Sequence, residues 1–532
     1  MSLINSLQWT LRKGMWNFIT MRKYRATIPK NVTTVTALPC PLKLIPLNKA
    51  YPTIPIPDIH VADHVPKDEE RAHEERMMRL FAWLYTTISP MQAGRPAVSA
   101  DPYQALDSAY TKRHRLTVLQ QAATLKLDPQ QTLRPPTMPA ELQGIPDLGT
   151  LAVQSPYAGY LRRVSNATDY FEWNLEELGS YSHHPELYAP WARVLFKANP
   201  TRRALNAVHI RCELGSIRPS HESWPLAARI AVCAATTHTA LIRHWTWTHL
   251  IGGECFAAAT RNHLPSTHPL CHLLWPHMVG THASNRLATL GQLVPGGDFE
   301  AIYSLTYPGL CQLVGKAGQG FDLRACDPEE DARCRGILDS DVPTQTFSNC
   351  RRIFRVIQAH AERYLRVYYT DQELRMDEPI RNWLRELDRL LPNGLGLASA
   401  LLTCAAVARV IARFIYLASV HHEQVGTQLW NYQLWTHTHP VRVYRDGRRV
   451  PEDVYQRLVN SNYILNVVRS PLLQDYAPLT LKEPTCPDRQ RRAEAAFARF
   501  RLDLARLQRK MGRKPWTPWT LYPADLEANI NA

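Results

Sequence analysis

Residues 241–288 read LIRHWTWTHLIGGECFAAATRNHLPSTHPLCHLLWPHMVGTHASNRLA. Two histidines, His244 and His249, lie five positions apart near the start of this stretch, inside an apolar and aromatic segment. On a regular α-helix, five residues separate two side chains by about 140°, which is too far for both to bind one ion. One extra residue in a π-type turn would bring both side chains onto the same face, and such turns favour functional sites. The spacing therefore makes the two histidines candidate metal ligands on a locally widened helix.

The histidine pair alone does not identify its chemistry. Imidazole binds iron, zinc, copper and nickel alike, so the spacing does not select a metal. An isolated pair also has a simpler interpretation, which is two buried histidines hydrogen-bonded to backbone in a tryptophan-rich helix. The following forty residues decide between the two, because they add four further motifs in order. These motifs are Arg261 to Pro265 (RNHLP), His268-Pro269, Leu273 to His277 (LLWPH) and Asn285.

The order and spacing of these motifs resemble the iron-binding core of the lipoxygenases, where HxxxxH on a helix is followed by HP, LLxPH and NxxA. Trp224 lies twenty positions before His244, as does the tryptophan that opens this helix in the family. The resemblance implies a mainly α fold, namely a large single-domain helical bundle around a long buried metal-binding helix, with few short strands. Specific motifs cover residues 216–532, and the remainder matches only in length and helical character.

A third histidine is implied by the resemblance, and residues 398–433 form the long apolar helix that would carry it. Matching upstream of the pair His421-His422 to the family pattern ASxxHxxVN selects His422, whereas matching downstream selects His421. One deleted residue between Val425 and Gln428 reconciles the two alignments. We therefore assign His422 as the ligand and keep His421 as the alternative.

Two further positions of the implied ligand set depart from the family. Lipoxygenases usually carry Asn, His or Ser four positions after the third histidine as a weak ligand, and this chain has Gly426 there, which cannot coordinate. The last ligand in the family is the terminal carboxylate, normally of isoleucine. Pro518 to Pro523 (PWTLYP) resembles the run before that tail, so the carboxylate of Ala532 is the expected ligand. The implied ligand set is His244, His249, His422 and Ala532.

Three neutral imidazoles and one carboxylate oxygen suit one non-haem iron ion per chain, with manganese as the alternative. The resemblance implies a dioxygenase that takes a hydrogen atom from a polyunsaturated fatty acid, adds O2 and forms a hydroperoxide. Two alternatives stay open, namely an oxygenase of this fold for another apolar small molecule and a non-catalytic lipid-binding relative. A zinc hydrolase is disfavoured because no glutamate adjoins either histidine of the first pair, as it does in HExxH.

Other positions in the same motifs have expected structural roles. A helix is expected from Arg351 to the pair Tyr368-Tyr369, followed by a helix that opens at Trp383. Earlier in the chain, helical periodicity begins near Glu69 and runs through Trp83, another helix is expected at 102–125, and a proline-rich loop at 128–147. By the resemblance, five additional histidines are structural and not primary ligands: His263, His268, His272, His277 and His282.

The formal net charge of +15 implies attraction to anions. No zinc finger, RRM-like or basic-zipper pattern is present, so nucleic acid is not an expected partner. Residues 1–30 carry six basic residues interleaved with Trp9, Trp16 and Phe18. This pattern predicts a basic amphipathic segment that contacts an anionic membrane peripherally. A mitochondrial-type presequence and a solvated arm are the alternatives.

Domain organisation and location follow from composition. Seven prolines between Thr27 and Asp58 favour extended backbone, so residues 1–60 are expected to form an N-terminal arm and residues 61–532 the helical catalytic domain. We find no alternating strands of the N-terminal β-sandwich that typical eukaryotic lipoxygenases carry, so the resemblance is to an atypical member. The 11 scattered cysteines favour a reducing compartment, hence a cytoplasmic protein with peripheral membrane contact. The sequence contains no window of about twenty uninterrupted apolar residues, so no transmembrane helix is expected.

Overall fold

The structure, a computed structural model, describes most of the chain from residue 41 onward. The described ranges are 41–70, 147–199, 204–340, 344–397, 402–451, 470–511 and 520–530, together with a few isolated positions. The basic segment 1–30, the helix expected at 102–125 and nearly all of the loop expected at 128–147 lie outside the described residues. Of the helix expected from near Glu69 to Trp83, positions 75, 76, 79 and 80 are helical, whereas Glu69 lies in a turn and Glu70 is not helical.

The first described residues form a small antiparallel unit. Strand β1 (Leu44–Pro46) pairs with β2 (His60–Ala62), and the short helix α1 (Leu47–Ala50) lies between them. Leu47, Ile54, Ile56 and Ile59 are buried in the main core, so the second half of the expected arm packs against the helical body.

A five-stranded antiparallel sheet precedes the histidine-bearing helix. Its strands follow one another in chain order: β3 (Arg162–Arg163), β4 (Tyr170–Asn174), β5 (Ala192–Asn199), β6 (Ala204–Cys212) and β7 (Gly215–Ile217). Alternate residues of β5, such as Val194 and Phe196, face the core. A register shift between Leu195 and Phe196 marks a β-bulge against β6. The sequence reasoning expected few short strands and did not locate this sheet, because apolar alternation extends over only half of β5.

The central element is helix α3 (Trp224–His263), which is 40 residues long. It starts at Trp224-Pro225, where a proline is tolerated because the first backbone N–H groups need no partner. Its centre, Thr239–Gly253, is π-helical, and its last part, Glu254–His263, is α-helical again. Apolar residues surround the whole helix, as is typical of a helix buried on all sides. The expected long buried helix that begins at Trp224 is therefore confirmed.

Helix α12 (Cys404–Gln433) crosses α3. Its N-terminus is capped by the Thr403 hydroxyl, which accepts a hydrogen bond from the backbone N–H of Ala406. Two short π-helical segments, Leu417–His421 and Gln424–Gln428, interrupt it. By length and composition alone, α3 and α12 are apolar enough to cross a membrane, yet most of each lies buried inside the fold. Core helices of globular proteins have the same property.

The remaining helices enclose this pair. They are α2 (Leu148–Gln154), α4 (Pro269–Met278), α5 (Thr281–Ala288), α6 (Asp298–Ile302), α7 (Tyr307–Gly318), α8 (Pro328–Cys334), α9 (Gln345–Tyr368), α10 (Asp371–Met376), α11 (Glu378–Leu390) and α13 (Pro487–Met511). Helix α9 ends at the tyrosine pair as expected. The next long helix opens at Glu378 and not at Trp383, because Asp377 caps it and accepts from the N–H of Ile380. The mainly α bundle is confirmed.

Buried apolar side chains form two clusters, and the two crossing helices pass from one cluster to the other. The first cluster lies between the sheet and the π-helical part of α3, and the second includes α9, α11 and α13. Along α3, residues up to Leu250 belong to the first cluster and residues from Ile251 onward to the second. Trp247 packs against both clusters. The π-helical segments of α3 and α12 therefore meet at the junction of the two clusters.

Candidate metal centre

Three histidines converge where α3 and α12 cross. The Nε2 atom of His249 lies 3.2 Å from Nε2 of His244 and 3.1 Å from Nε2 of His422. One potential ligand atom from each histidine lies within 4.8 Å of the others. Two nitrogen ligands at right angles on one ion, each about 2.1 Å away, would lie about 3.0 Å apart. The spacing of the three nitrogens is therefore that of ligands around a single ion.

The π-helical centre of α3 is what brings His244 and His249 together. In this segment the backbone is wound so that positions five apart lie above one another. The hydroxyl of Thr246 donates to the carbonyl of Leu241, also five positions earlier, at 2.7 Å. The ring centroids of His244 and His249 are 4.9 Å apart. The expected π-type turn is confirmed, and it extends over 15 residues where a single extra residue was expected.

The three rings lie in a buried environment, which opposes a charge on His244. His244, His249 and His422 are 6%, 4% and 1% exposed. Burial, followed by the neighbouring His249 and His422, holds the pKa of His244 well below its usual value. A neutral imidazole has a free lone pair on one nitrogen, which is the form that binds a metal.

Asn285 on α5 determines which nitrogen of His249 carries the proton. Its Oδ1 lies 2.9 Å from Nδ1 of His249, and its Nδ2 donates to the backbone carbonyl of His249 at 2.8 Å. Since an amide oxygen only accepts, Nδ1 of His249 is the protonated nitrogen. The lone pair of His249 is therefore on Nε2, which faces the other two histidines. Metal-binding histidines commonly have such an outer partner.

The structure brings His422, and not His421, beside the first pair. The ring of His422 lies 5.0 Å from each of the rings of His244 and His249. His421 faces away, near Tyr416 and the backbone of Arg243, and burial lowers its pKa to about 3. The alignment that matched the upstream residues therefore agrees with the geometry, and metal binding by His422 stays a prediction.

Gly426 lies against His244. A Cβ atom built at position 426 would be 2.8 Å from Nε2 of His244 and 3.1 Å from its Cδ2. Only glycine therefore permits α12 to approach α3 this closely while His244 keeps its position. Gly426 therefore makes room for His244 and offers no side chain that could bind a metal.

The five additional histidines all lie outside the cluster of three, as expected. The ring of His277 hydrogen-bonds to the carbonyl of Ala528 at 2.7 Å, and burial lowers its pKa to about 4. His263 pairs with Glu386, and His268 lies near Asp377 and Tyr369. His272 contacts the backbone carbonyls of Ser266 and Leu479, and His282 pairs with Glu254.

The segment near the end of the chain packs against the histidine-bearing helix. Ile530, the last described residue, is buried, and a Cβ atom at Gly253 would be 2.0 Å from its Cδ1. Gly253 lies four positions after His249. Ala532 lies outside the described residues, so coordination by its carboxylate stays a prediction.

Sequence reasoning missed one member of the surroundings of the site. Glu254 on α3 is 2% exposed and contacts both Asn285 and His282, although it matches no motif. Its position five residues after His249, in a helix with a five-residue repeat at its centre, is the signal that would have placed it on the same side.

Comparison with known proteins connects this geometry to one family. The lipoxygenase family model matches residues 197–307, which include His244 and His249. The polyunsaturated fatty acid lipoxygenase ALOX15 of Oryctolagus cuniculus is 26% identical over 200 residues, which cover 36% of this chain and 30% of that protein. ALOX8 of Mus musculus is 27% identical over 309 residues, which cover 54% of this chain and 45% of that protein. The matches therefore span less than half of these relatives.

Solved lipoxygenase structures share the fold over nearly the whole chain. The manganese lipoxygenase of Gaeumannomyces graminis superimposes with a TM-score of 0.68 at 14% identity, covering 98% of both chains. A complex of delta413-417:GS LOX with arachidonate has a TM-score of 0.70 at 15% identity, covering 92% of this chain and 80% of that one. A coral 8R-lipoxygenase has a TM-score of 0.67 at 14% identity, covering 92% and 79%. At these identities the likeness concerns the fold.

The crossing of two π-interrupted helices and the three histidines buried at that crossing define an α-helical protein with a histidine-rich centre. Together with the family match over residues 197–307 and the sequence relatives, they show that the chain is similar to the lipoxygenases and shares their fold.

Proposed function

We propose that the protein is a lipoxygenase-type dioxygenase in which His244, His249 and His422 bind one non-haem iron ion, with manganese as the alternative. The supporting observation is the convergence of three buried Nε2 atoms at 3.1 and 3.2 Å from the central one. Neutral imidazole suits iron, and the carboxylate proposed from Ala532 would suit iron or manganese. The hydrogen bond that Nδ1 of His249 donates to Oδ1 of Asn285 leaves Nε2 of His249 free to coordinate. The donor set therefore fits the metal that the family uses.

The proposed substrate is a polyunsaturated fatty acid, with O2 as the second substrate. The relatives ALOX15 and ALOX8 are named polyunsaturated fatty acid lipoxygenases, and one structural neighbour is a complex with arachidonate. The site lies between two apolar clusters, which suits a hydrocarbon chain better than a polar molecule. The product would be a fatty acid hydroperoxide.

The chain's own residues prepare this chemistry in three ways. Burial holds the pKa of His244 well below its usual value and keeps its imidazole neutral, and Asn285 directs the lone pair of His249 toward the other two rings. Trp245 is buried with its ring 5.3 Å from that of His249, where an apolar side chain would help to keep water away from the metal. A bound iron or manganese ion would supply the one-electron redox chemistry that abstraction of a doubly allylic hydrogen atom requires.

The experiment compares two adjacent histidines. The purified chain and its His422→Gln and His421→Gln variants are analysed for iron and manganese, then assayed for O2 uptake and conjugated-diene absorbance with linoleate and arachidonate. We expect metal and activity in the wild type and in His421→Gln, and loss of both in His422→Gln. Equal metal content in the two variants would contradict the assignment of His422.

The activity assay also separates the alternatives. Stoichiometric metal without uptake on either fatty acid would favour an oxygenase for another apolar substrate. A chain that binds neither iron nor manganese would favour the non-catalytic lipid-binding relative. Gly426 is the reason to consider this alternative, because its position has no side chain that could bind a metal.

A further inference from the structure

A buried ionic cluster lies behind the candidate metal centre, on the side of His249 that faces away from the other histidines. Glu254 and His282 are each 2% exposed, and Oε2 of Glu254 lies 2.6 Å from Nδ1 of His282. The other carboxylate oxygen of Glu254 accepts from Nδ2 of Asn285 at 3.1 Å. Asn285 in turn contacts His249. A continuous hydrogen-bonded chain therefore runs from His282 to His249.

The direction of each hydrogen bond in this chain follows from the chemistry of Glu254. An ionised carboxylate only accepts hydrogen bonds, so the group of Asn285 that faces Glu254 must be its amide NH2. With the NH2 directed to Glu254, Oδ1 of Asn285 is directed to Nδ1 of His249. The ring of His249 must then carry its proton on Nδ1 and its lone pair on Nε2.

The cluster contains a second ionic pair, which is formed by Glu69 and Arg261. Burial opposes a charged His282, yet Glu254 and Glu69 outweigh that effect and raise the pKa of His282. Glu69 is itself paired with Arg261 at 2.5 Å and accepts from the backbone N–H of Ala283 at 3.2 Å. Glu254 and Arg261 belong to α3, His282 belongs to α5, and Glu69 comes from the segment before residue 70. The cluster thus joins three parts of the chain behind one histidine.

We propose that Glu254, held by His282, is a positioning residue that orients the amide of Asn285 and thereby sets His249 in its metal-binding tautomer. This inference rests on the proposed metal site at His244, His249 and His422. If Glu254 is replaced by an apolar residue, the NH2 group of Asn285 loses one of its two acceptors and keeps only the backbone carbonyl of His249, so the orientation of the amide is held less firmly. The amide can then turn, present NH2 to His249 and favour the tautomer whose Nε2 is protonated and cannot coordinate.

The test measures Mn²⁺ binding to the full chain, from the electron paramagnetic resonance signal of free Mn²⁺. We expect Glu254→Leu to bind Mn²⁺ about 10- to 100-fold more weakly than the wild type, the usual range for loss of an outer partner of a metal ligand. Glu254→Gln keeps an oxygen that can accept from Asn285, and its NH2 can face His282, so it should bind within about threefold of the wild type.

A double variant separates positioning from folding. Glu254→Leu leaves His282 buried without its partner, whereas Glu254→Leu with His282→Leu removes both partners and should regain most of the lost thermal stability. We expect the double variant to remain as weak in Mn²⁺ binding as the single one. The remote pair Glu330–Arg413, at 2.6 Å, provides the control, because its double leucine variant should bind Mn²⁺ as the wild type does.

The outcomes distinguish this inference from the proposed function. A wild type that binds no Mn²⁺ contradicts the proposed metal site itself. If the wild type binds and the double variant recovers both stability and Mn²⁺ affinity, the cluster is structural only and the positioning role is wrong. Loss of affinity in Glu254→Gln equal to that in Glu254→Leu would also overturn the orientation argument.

Discussion

Replacing Gly426 with alanine tests the geometry of the metal centre most directly. The new Cβ atom would be 2.8 Å from Nε2 of His244, whereas ordinary van der Waals contact begins at 3.4 Å. His244 or α12 must therefore move by about 0.6 Å, and a metal site tolerates ligand displacements of only about 0.2 Å. We expect Gly426→Ala to bind Mn²⁺ or Fe²⁺ at least about tenfold more weakly, a factor that corresponds to about 1.4 kcal/mol.

The same substitution should weaken metal binding without lowering the stability of the metal-free chain. This difference separates an effect on the metal site from an effect on folding. Alanine in a helix interior is favoured over glycine by about 0.5–1 kcal/mol, so the metal-free variant should unfold at nearly the wild-type temperature. Gly315 in α7 is the matched control. A Cβ atom there would have its nearest contact at 3.5 Å, with Cγ2 of Ile56, so Gly315→Ala should fit without displacement.

The assay is metal binding by equilibrium competition, together with thermal unfolding of the metal-free chains. Gly315→Ala should retain wild-type affinity and gain slightly in stability. If Gly426→Ala binds metal as tightly as Gly315→Ala does, then His244 is not confined by α12 in the way the distances indicate, and the argument for a centre shaped by Gly426 is refuted.

Two further predictions concern pH and packing. Burial lowers the pKa of His277 to about 4, whereas a histidine in the unfolded chain has a pKa near 6.5. Between these two pH values only the unfolded chain binds the proton. The stability that is present above pH 6.5 is therefore lost as the pH falls toward 4. His277→Gln, which keeps a donor for the carbonyl of Ala528, should therefore flatten the pH dependence of urea unfolding between pH 7 and pH 5, and an unchanged slope would contradict a neutral buried His277. Gly253→Ala places a Cβ atom 2.0 Å from Cδ1 of Ile530 and should lower the free energy of unfolding by about 1–3 kcal/mol. Adding Ile530→Ala should restore most of that loss. A double-mutant cycle of denaturant unfolding measures the coupling between the two substitutions. Additive effects of the two substitutions would show that Ile530 does not pack on Gly253.

The central helix and the closeness of its two histidines could be predicted from local sequence. Residues 224–263 are mostly apolar and begin with Trp224-Pro225, so extensive burial and the helix start are local properties of the chain. The five-residue spacing of His244 and His249 also required a π-type turn if both were to face one point, and Thr239–Gly253 has that winding. Local periodicity carries this information because each helical position is related to its neighbours by a fixed rotation.

Which histidine of α12 lies beside His244 and His249 depends on how the two helices pack. The sequence around His421 and His422 supports both alignments, since neighbouring residues on one helix differ only in the face they occupy, and that face is set by how α12 crosses α3. The crossing depends on Gly426 against His244 and on Gly252 against Leu417, which are contacts between residues more than 160 positions apart in the chain. The role of Glu254 also depends on distant partners, because an isolated glutamate in a helix gives no local signal that Asn285 and His282 will lie beside it. Side-chain convergence at the site is therefore a property of the packed helices, whereas the helices themselves follow from local sequence.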